Sequence, residues 1–366
     1  MKVGIITFHR ADNYGAVLQA YALIETLRSH GYITEIIDYA PSSLTDQYNI
    51  FNFNVSGGTA KLKELLRGSI RLCLNFPKKH RKFEAFRKMY LPISVSYTNA
   101  GDIAGYDAYI AGSDQIWNGV TTDSDPAFFL SFRTCDSKTI SYAASIGLDV
   151  LSEGQRAYVR DNLHYIDYIS VRELSAVELI QSMTDRPVTQ VLDPTLLADA
   201  SIYRQLIGER LIKQPYIFVY KMTYNPLTLK TALAISKQTG LKVVVLPVYE
   251  RIGHDIGEHC LFGQGPLDFL TLLYHASFVV TDSFHGLAFS VVFHKNFLTT
   301  LHPQRSGRIR SLLSLLDLDS RRIENAAQLT QNLPFTVDYS KSDLILQKEK
   351  ERSLSFLLSA LEEANP

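Results

Sequence analysis

The sequence predicts an α/β protein built from two Rossmann-like domains that face one cleft. Three observations carry this expectation. The chain has 366 residues, more than one hydrophobic core usually organises. Short apolar runs alternate with helical periodicities, the pattern of parallel sheets covered by helices. Two such series are separated by a segment bounded by Pro194 and Pro215. The domains are therefore placed at 1–195 and 196–340, with 341–366 as a C-terminal helix able to pack back across the boundary.

The first series opens with the strand "KVGIITF". From Gly15 onward Val17, Ala20, Tyr21, Ile24 and Leu27 recur at helical spacing, and Gly31 stops the helix before the strand "ITEIIDY". "YDAYIAG", "KTISYAAS" and "DYISVRE" continue the strands, with helical patterns near 153–166 and 173–182. In the second series "YIFVYK", "LKVVVLP", "ASFVVTD" and "NFLTTLH" read as strands, separated by helical patterns at 226–238, 266–275 and 286–294. Lys341–Leu361 is amphipathic. Open α/β sheets bind ligands beyond the carboxyl ends of their strands. The loops after "GIITF", "AYIAG", "YAAS", "ISV" and "FVVT" are thus where chemistry belongs.

Composition narrows the function classes. Lys plus Arg and Asp plus Glu each number 37, so the basic excess of a dedicated nucleic-acid binder is missing. Cys73, Cys135 and Cys260 are far apart and form no CxxC pair, which points to reduced thiols rather than disulfides or a zinc ribbon. No signal-like start and no apolar stretch of about 18–20 residues is present, so a soluble, cytoplasmic protein is expected. Residues 61–88 hold ten Lys or Arg against Glu64 and Glu84. Leu62, Leu65, Leu66 and Ile70 recur there at helical spacing, as do Phe83 and Phe86, so the segment reads as two surface helices with a solvated charged face, or as a docking face for an anionic membrane surface or a lipid-diphosphate substrate.

Each strand-end loop offers chemistry beside a plain structural role. In "FHRADNYGAVLQ", Asn13 or Asp12 can cap the next helix, and Gly15 admits a close backbone approach. A helix N-terminus there suits an anion, but GxGxxG and the P-loop are both missing. "AGSDQIWN" presents Ser113, Asp114 and Gln115 for sugar hydroxyls or for capping, and Trp117 for a sugar ring or for the core. Ser145 and Gly147 stand at the next strand end. Arg172 leaves an apolar strand and needs an anionic partner, either a ligand or Glu173. Arg305, Arg308 and Arg310 in "LHPQRSGRIRSLL" could close over an anion or remain solvated. "DPT" at Asp193–Thr195 reads as a fixed turn. His254, Asp255, Glu258, His259 and Cys260 lack metal-site spacing and read as a loop. In "TDSFHG", Ser283 or Asp282 can cap the following helix, placing His285 at its positive end, where a neutral base is favoured unless a bound anion offsets it.

Taken together, "NYGAVLQAYAL", "GSDQIWN", "SYAASIG", "ISVRE", "VLDPTLL" and "TDSFHGLAFSVVF" resemble, in order, the polysaccharide pyruvyl transferase family. The resemblance implies a GT-B-like fold. It also implies transfer of the enolpyruvyl group of phosphoenolpyruvate to a sugar of a surface-polysaccharide or cell-wall glycan precursor, often lipid-linked. Several members have Arg-Leu-His-Gly where this chain has Ser283-Phe284-His285-Gly286. Such a site needs an acid/base, assigned to His285, and cations for the donor, assigned to Arg172 and then Arg308. Asp114 and Asn13 would hold or activate the acceptor, with Gly15, Ser113, Ser145 and Ser283 also on the substrate-binding side. No metal or cofactor is called for. A nucleotide-sugar glycosyltransferase and a non-catalytic glycan-binding protein of the same fold are the alternatives.

Overall fold

The computed structural model describes residues 1–41, 76–134, 136–148, 150–223, 225–247, 260–301, 306–330 and 332–363. Its first unit contains β1 (Lys2–Ile6), α1 (Tyr14–Ser29), β2 (Ile33–Tyr39), α2 (76–90), β3 (Ile93–Tyr97), β4 (Ala108–Asp114) and β5 (Lys138–Ala144). It continues through α3 (Glu153–Asn162), β6 (Tyr168–Val171), α4 (Leu174–Gln181) and β7 (Val188–Gln190). The seven strands are parallel, in the order β3-β2-β1-β4-β5-β6-β7. β4 and β5 are buried at every residue, which is why they read as continuous apolar or small-residue runs rather than alternating ones.

Two short helices, α5 (Pro194–Leu197) and α6 (Ser201–Arg204), lead into the second unit. There β8 (Tyr216–Lys221), α7 (Pro226–Thr239), β9 (Lys242–Pro247), α8 (Pro266–His275) and β10 (Phe278–Thr281) follow in turn. α9 (Phe284–Val292), β11 (Phe297–Thr300), α10 (Gly307–Leu315), β12 (Arg322–Ile323) and α11 (Ser340–Glu362) complete it. This sheet is also parallel, in the order β12-β11-β10-β8-β9. Strand order reverses between β1 and β4 in one sheet and between β8 and β10 in the other, and ligand crevices form beyond such reversals.

The two units share one continuous apolar core. α1 is buried on nearly all sides, as expected of a helix that is apolar all round. It packs on β2 and β4 of its own sheet and on α5 and α8 across the divide. Tyr14, its first residue, stacks on Phe269 with ring centroids 5.1 Å apart, meets Tyr220 edge-on, and donates to Gln264 O. Lys82 of α2 adds an ion pair to Asp268 at 2.6 Å. α11 starts on the second unit, where Tyr339 donates to Ser290 O and Lys295 O and Asp343 meets His294. It finishes on the first, where Ser353 accepts from Leu192 N and Leu361 O accepts from Lys138 Nζ. Among the described residues no helix is long and apolar enough to cross a membrane.

Candidate active site

The stretch "TDSFHG" is built by a chain of local hydrogen bonds at the end of β10. Thr281 Oγ1 donates to Tyr220 O and accepts from Ser283 N. The Asp282 carboxylate accepts from Met222 N, Thr223 N and Thr223 Oγ1, pinning the loop after β8. Burial raises the Asp282 carboxyl against these bonds and Lys221. Ser283, not Asp282, caps α9 by accepting from Gly286 N. A Cβ at Gly286 would lie 2.3 Å from Thr281 Oγ1, so this glycine lets the helix start directly on the strand. His285 is consequently held in the first turn, buried at 7% exposure.

The first unit meets His285 with the N-terminus of α1. Asn13 caps that helix, accepting from Gly15 N and Ala16 N. A Cβ built on Gly15 would stand 2.0 Å from His285 Nδ1; only a glycine backbone fits beneath the ring. Asp12, the other candidate cap, pairs instead with Arg87 and His80. Arg87 is buried and also donates to the carbonyls of His9, Arg10 and Ala11, so α2 clamps the loop that leads into α1. Two helix N-termini, both favourable to anions, thus converge on one imidazole.

Beneath the ring lies an ionic knot centred on Asp193, which is 1% exposed. Its Oδ1 accepts from Thr195 N and Oγ1 and so caps α5. Its Oδ2 accepts from Arg172 Nη1 at 2.7 Å and from Ser113 Oγ at 3.2 Å, with His285 Nε2 at 3.8 Å. Arg172 Nε donates to Glu173 Oε1, which also accepts from Ser145 Oγ. Asp114, with φ 70°, brings Oδ1 to 3.9 Å from Arg172 Nη2. The Arg172 guanidinium lies 4.4 Å over the Phe284 ring. Within this knot Arg172 Nη2 and His285 Nε2 are buried with no hydrogen-bond partner. Arg172, Glu173, Asp193, Phe284, Arg308 and Ser311 face a narrow crevice between the units.

The electrostatics follow from burial and this charge arrangement. Burial lowers the His285 pKa; Asp193 and Asp114 raise it, Arg172 and Arg308 lower it, and the net direction is down. The imidazole is therefore neutral at pH 7. Burial raises the Asp193 carboxyl, but the neighbouring His285, when protonated, the Arg172 charge and the bonds from Thr195 and Arg172 outweigh it, leaving the group below the usual aspartate value. Because His285 is neutral, Arg172 and the hydrogen bonds are what keep Asp193 ionised. Burial works against the Arg172 charge, yet Glu173, Asp193 and Asp114 hold its pKa above the ordinary value.

Of the residues the sequence singles out, His285, Asp114, Ser113, Gly15 and Arg172 meet in this knot, and Arg308 borders it. Ser145 is one bond removed, through Glu173. Asn13 and Ser283 are the caps that aim the two helices. At other positions the structure selects among the readings left open by the sequence. Arg172, expected to be the donor's first cation, is already paired with Asp193 and Glu173 and has only Nη2 to offer. "DPT" is more than a turn, since Asp193 is the hub. Trp117 stacks at 4.9 Å on Phe129 inside the core. Arg310 pairs with Glu324 away from the crevice. In the 61–88 segment α2 buries Phe83 and Phe86, as their helical spacing implies, and Arg87 with them; 61–75 lie outside the described residues. So do Arg305, Cys73, Cys135 and positions 254–259 of the histidine-rich loop.

Two facing parallel-sheet units with a buried ionic knot at their shared switch points define an α/β enzyme of GT-B-like fold. The chain belongs to the polysaccharide pyruvyl transferase family, whose sequence model matches residues 13–301. No curated protein matches it in sequence. Among solved structures it is similar to a putative UDP-N-acetylglucosamine 2-epimerase from Listeria monocytogenes, with TM-score 0.50, 11% identity, and 100% of this chain and 98% of that chain covered. It is also similar to sucrose-phosphate synthase from Thermosynechococcus elongatus, with TM-score 0.45, 13% identity and coverage of 99% and 97%. The first likeness supports the fold alone.

Proposed function

We propose that this transferase moves the enolpyruvyl group of phosphoenolpyruvate onto a sugar of a surface-polysaccharide or cell-wall glycan precursor, closing a pyruvate ketal. The observation that carries the reading is His285: a buried imidazole at two converging helix N-termini, beside Arg308 and above an ionised carboxylate. That setting suits an acid/base next to an anionic donor. The donor's negative charge raises the His285 pKa on binding and lets the ring deliver a proton to the methylene carbon. The resulting C2 cation is attacked by one acceptor hydroxyl, whose proton passes to His285. The bond from C2 to the phosphate oxygen then breaks, and a second hydroxyl closes the ketal. In balance, one hydroxyl proton ends on the new methyl group and the other leaves with phosphate.

Arg308, Arg172 Nη2 and the two helix N-termini hold the donor, while Asp114 and Asn13 face the acceptor. Ser113 and Ser145 act through Asp193 and Glu173 rather than by touching substrate. Reaction on a lipid-linked acceptor would place the protein at the cytoplasmic face of a membrane. Ligand-dependent thermal stability tests the donor. Phosphoenolpyruvate at 100 times its Kd should add about 2.7 kcal/mol of stability, while a nucleoside diphosphate should add none. The reverse order of stabilisation would favour a nucleotide-sugar enzyme.

A further inference from the structure

The Asp193 side chain is fully buried, and it is the only described carboxylate within 4 Å of His285 Nε2. It stands at the N-cap of α5, where the first unit ends, and besides Thr195 of α5 it holds Ser113 and Arg172 of the first unit. We infer that Asp193 is the positioning residue of His285: it selects the neutral imidazole protonated at Nε2 and leaves Nδ1, at the Gly15 backbone, as the atom that transfers protons. This inference rests on the acid/base role proposed above for His285.

An ionised Asp193 Oδ2 can only accept, so a bare Nε2 lone pair facing it at 3.8 Å would be repelled, whereas an Nε2–H is attracted. The separation exceeds a hydrogen bond, and catalytic contacts of this kind tighten when substrate closes the site. The charged groups around the ring are Asp193 from the cap of α5, Asp114 from β4, Arg172 from the end of β6 and Arg308 from α10. Of the two carboxylates, Asp193 is the one paired with the ring in the structure. Asp193 Oδ2 also holds Arg172 Nη1, so one carboxylate of the first unit sets both the ring from the second unit and the guanidinium beneath it. The acid/base is thereby complete only where the two units meet.

The inference is tested on the wild-type protein without turnover. Two-bond ¹H–¹⁵N spectra of histidine-labelled protein at neutral pH, with His285 assigned by comparison with His285→Gln, should show the proton on Nε2. A proton on Nδ1, or averaging between the two nitrogens, would overturn the inference. Asp193→Asn, which keeps an acceptor for Thr195, should lose the single tautomer. It should also lower kcat about 10²-fold while changing the KM for phosphoenolpyruvate less than threefold, and move the alkaline limb of the kcat profile, which reports the protonated ring, to lower pH. An Asp193→Asn enzyme within twofold of wild-type kcat, with an unmoved alkaline limb, would equally overturn it. If wild-type protein transfers no pyruvyl group, the functional reading fails, but the tautomer still decides the role of Asp193.

Discussion

Arg172→Ala should lower the stability of the folded protein by about 3–5 kcal/mol, the cost of breaking a buried ion pair by removing one partner. The sequence alone suggests a milder outcome, a raised donor KM from a lost ligand contact. The structure changes that expectation. Arg172 is the cation that Asp193, Glu173 and Asp114 share in a buried site, and without it three carboxylates face one another in low dielectric. Urea unfolding with an unchanged m-value measures the effect. A loss below about 1 kcal/mol, the scale of an exposed pair, would show that the knot is solvated and weak. Arg172→Lys should recover only part of the loss, because a single ammonium cannot span Glu173 and Asp193 as the guanidinium fork does.

His285→Ala should abolish pyruvyl transfer, by at least the 10²–10⁴-fold typical of a lost acid/base, and leave the fold intact. The second half of that statement follows from Nε2 having no hydrogen-bond partner: removing the ring orphans no donor or acceptor. The variant also has a signature in stability. In wild-type protein the folded imidazole resists protonation. As pH falls through about 6.5 the unfolded chain takes up a proton that the folded chain refuses, so stability falls. His285→Ala should lack that part of the slope. Turnover within tenfold of wild type would remove the ring from the chemistry, and an unchanged slope would show that the ring is not held neutral by burial.

The sequence made the fold legible wherever a βα unit buried a whole face. Apart from Asp114, Lys138 and Lys221 at their ends, β4, β5, β8 and β10 carry no charged residue, and α1 and α9 begin at caps that can be read from Asn13 and Ser283. β3 and β7 escaped because they lie at the sheet edges, partly exposed and without strong patterning. The candidate site was legible in its strand-end loops: Gly15, Asp114, Arg172 and His285 each stand where a parallel sheet places ligands. Asp193 was not. Its local signal is a capped turn before a proline, and its partners Ser113 and Arg172 lie 80 and 21 residues away, a distance over which no periodicity speaks. Arg87 was hidden in the same way, inside a basic run whose charge suggested solvent. The two phenylalanines at helical spacing before it, Phe83 and Phe86, were the available sign of a buried face.

The most direct measurement of the central claim is the product. Wild-type protein incubated with phosphoenolpyruvate and a panel of lipid-linked hexose and N-acetylhexosamine glycans is assayed for released phosphate and for the mass of the glycan. Phosphate release should be matched by one pyruvyl group per modified glycan, with both lost in His285→Ala. Glycosyl transfer from a nucleotide sugar, with no pyruvyl group on any glycan, would contradict it.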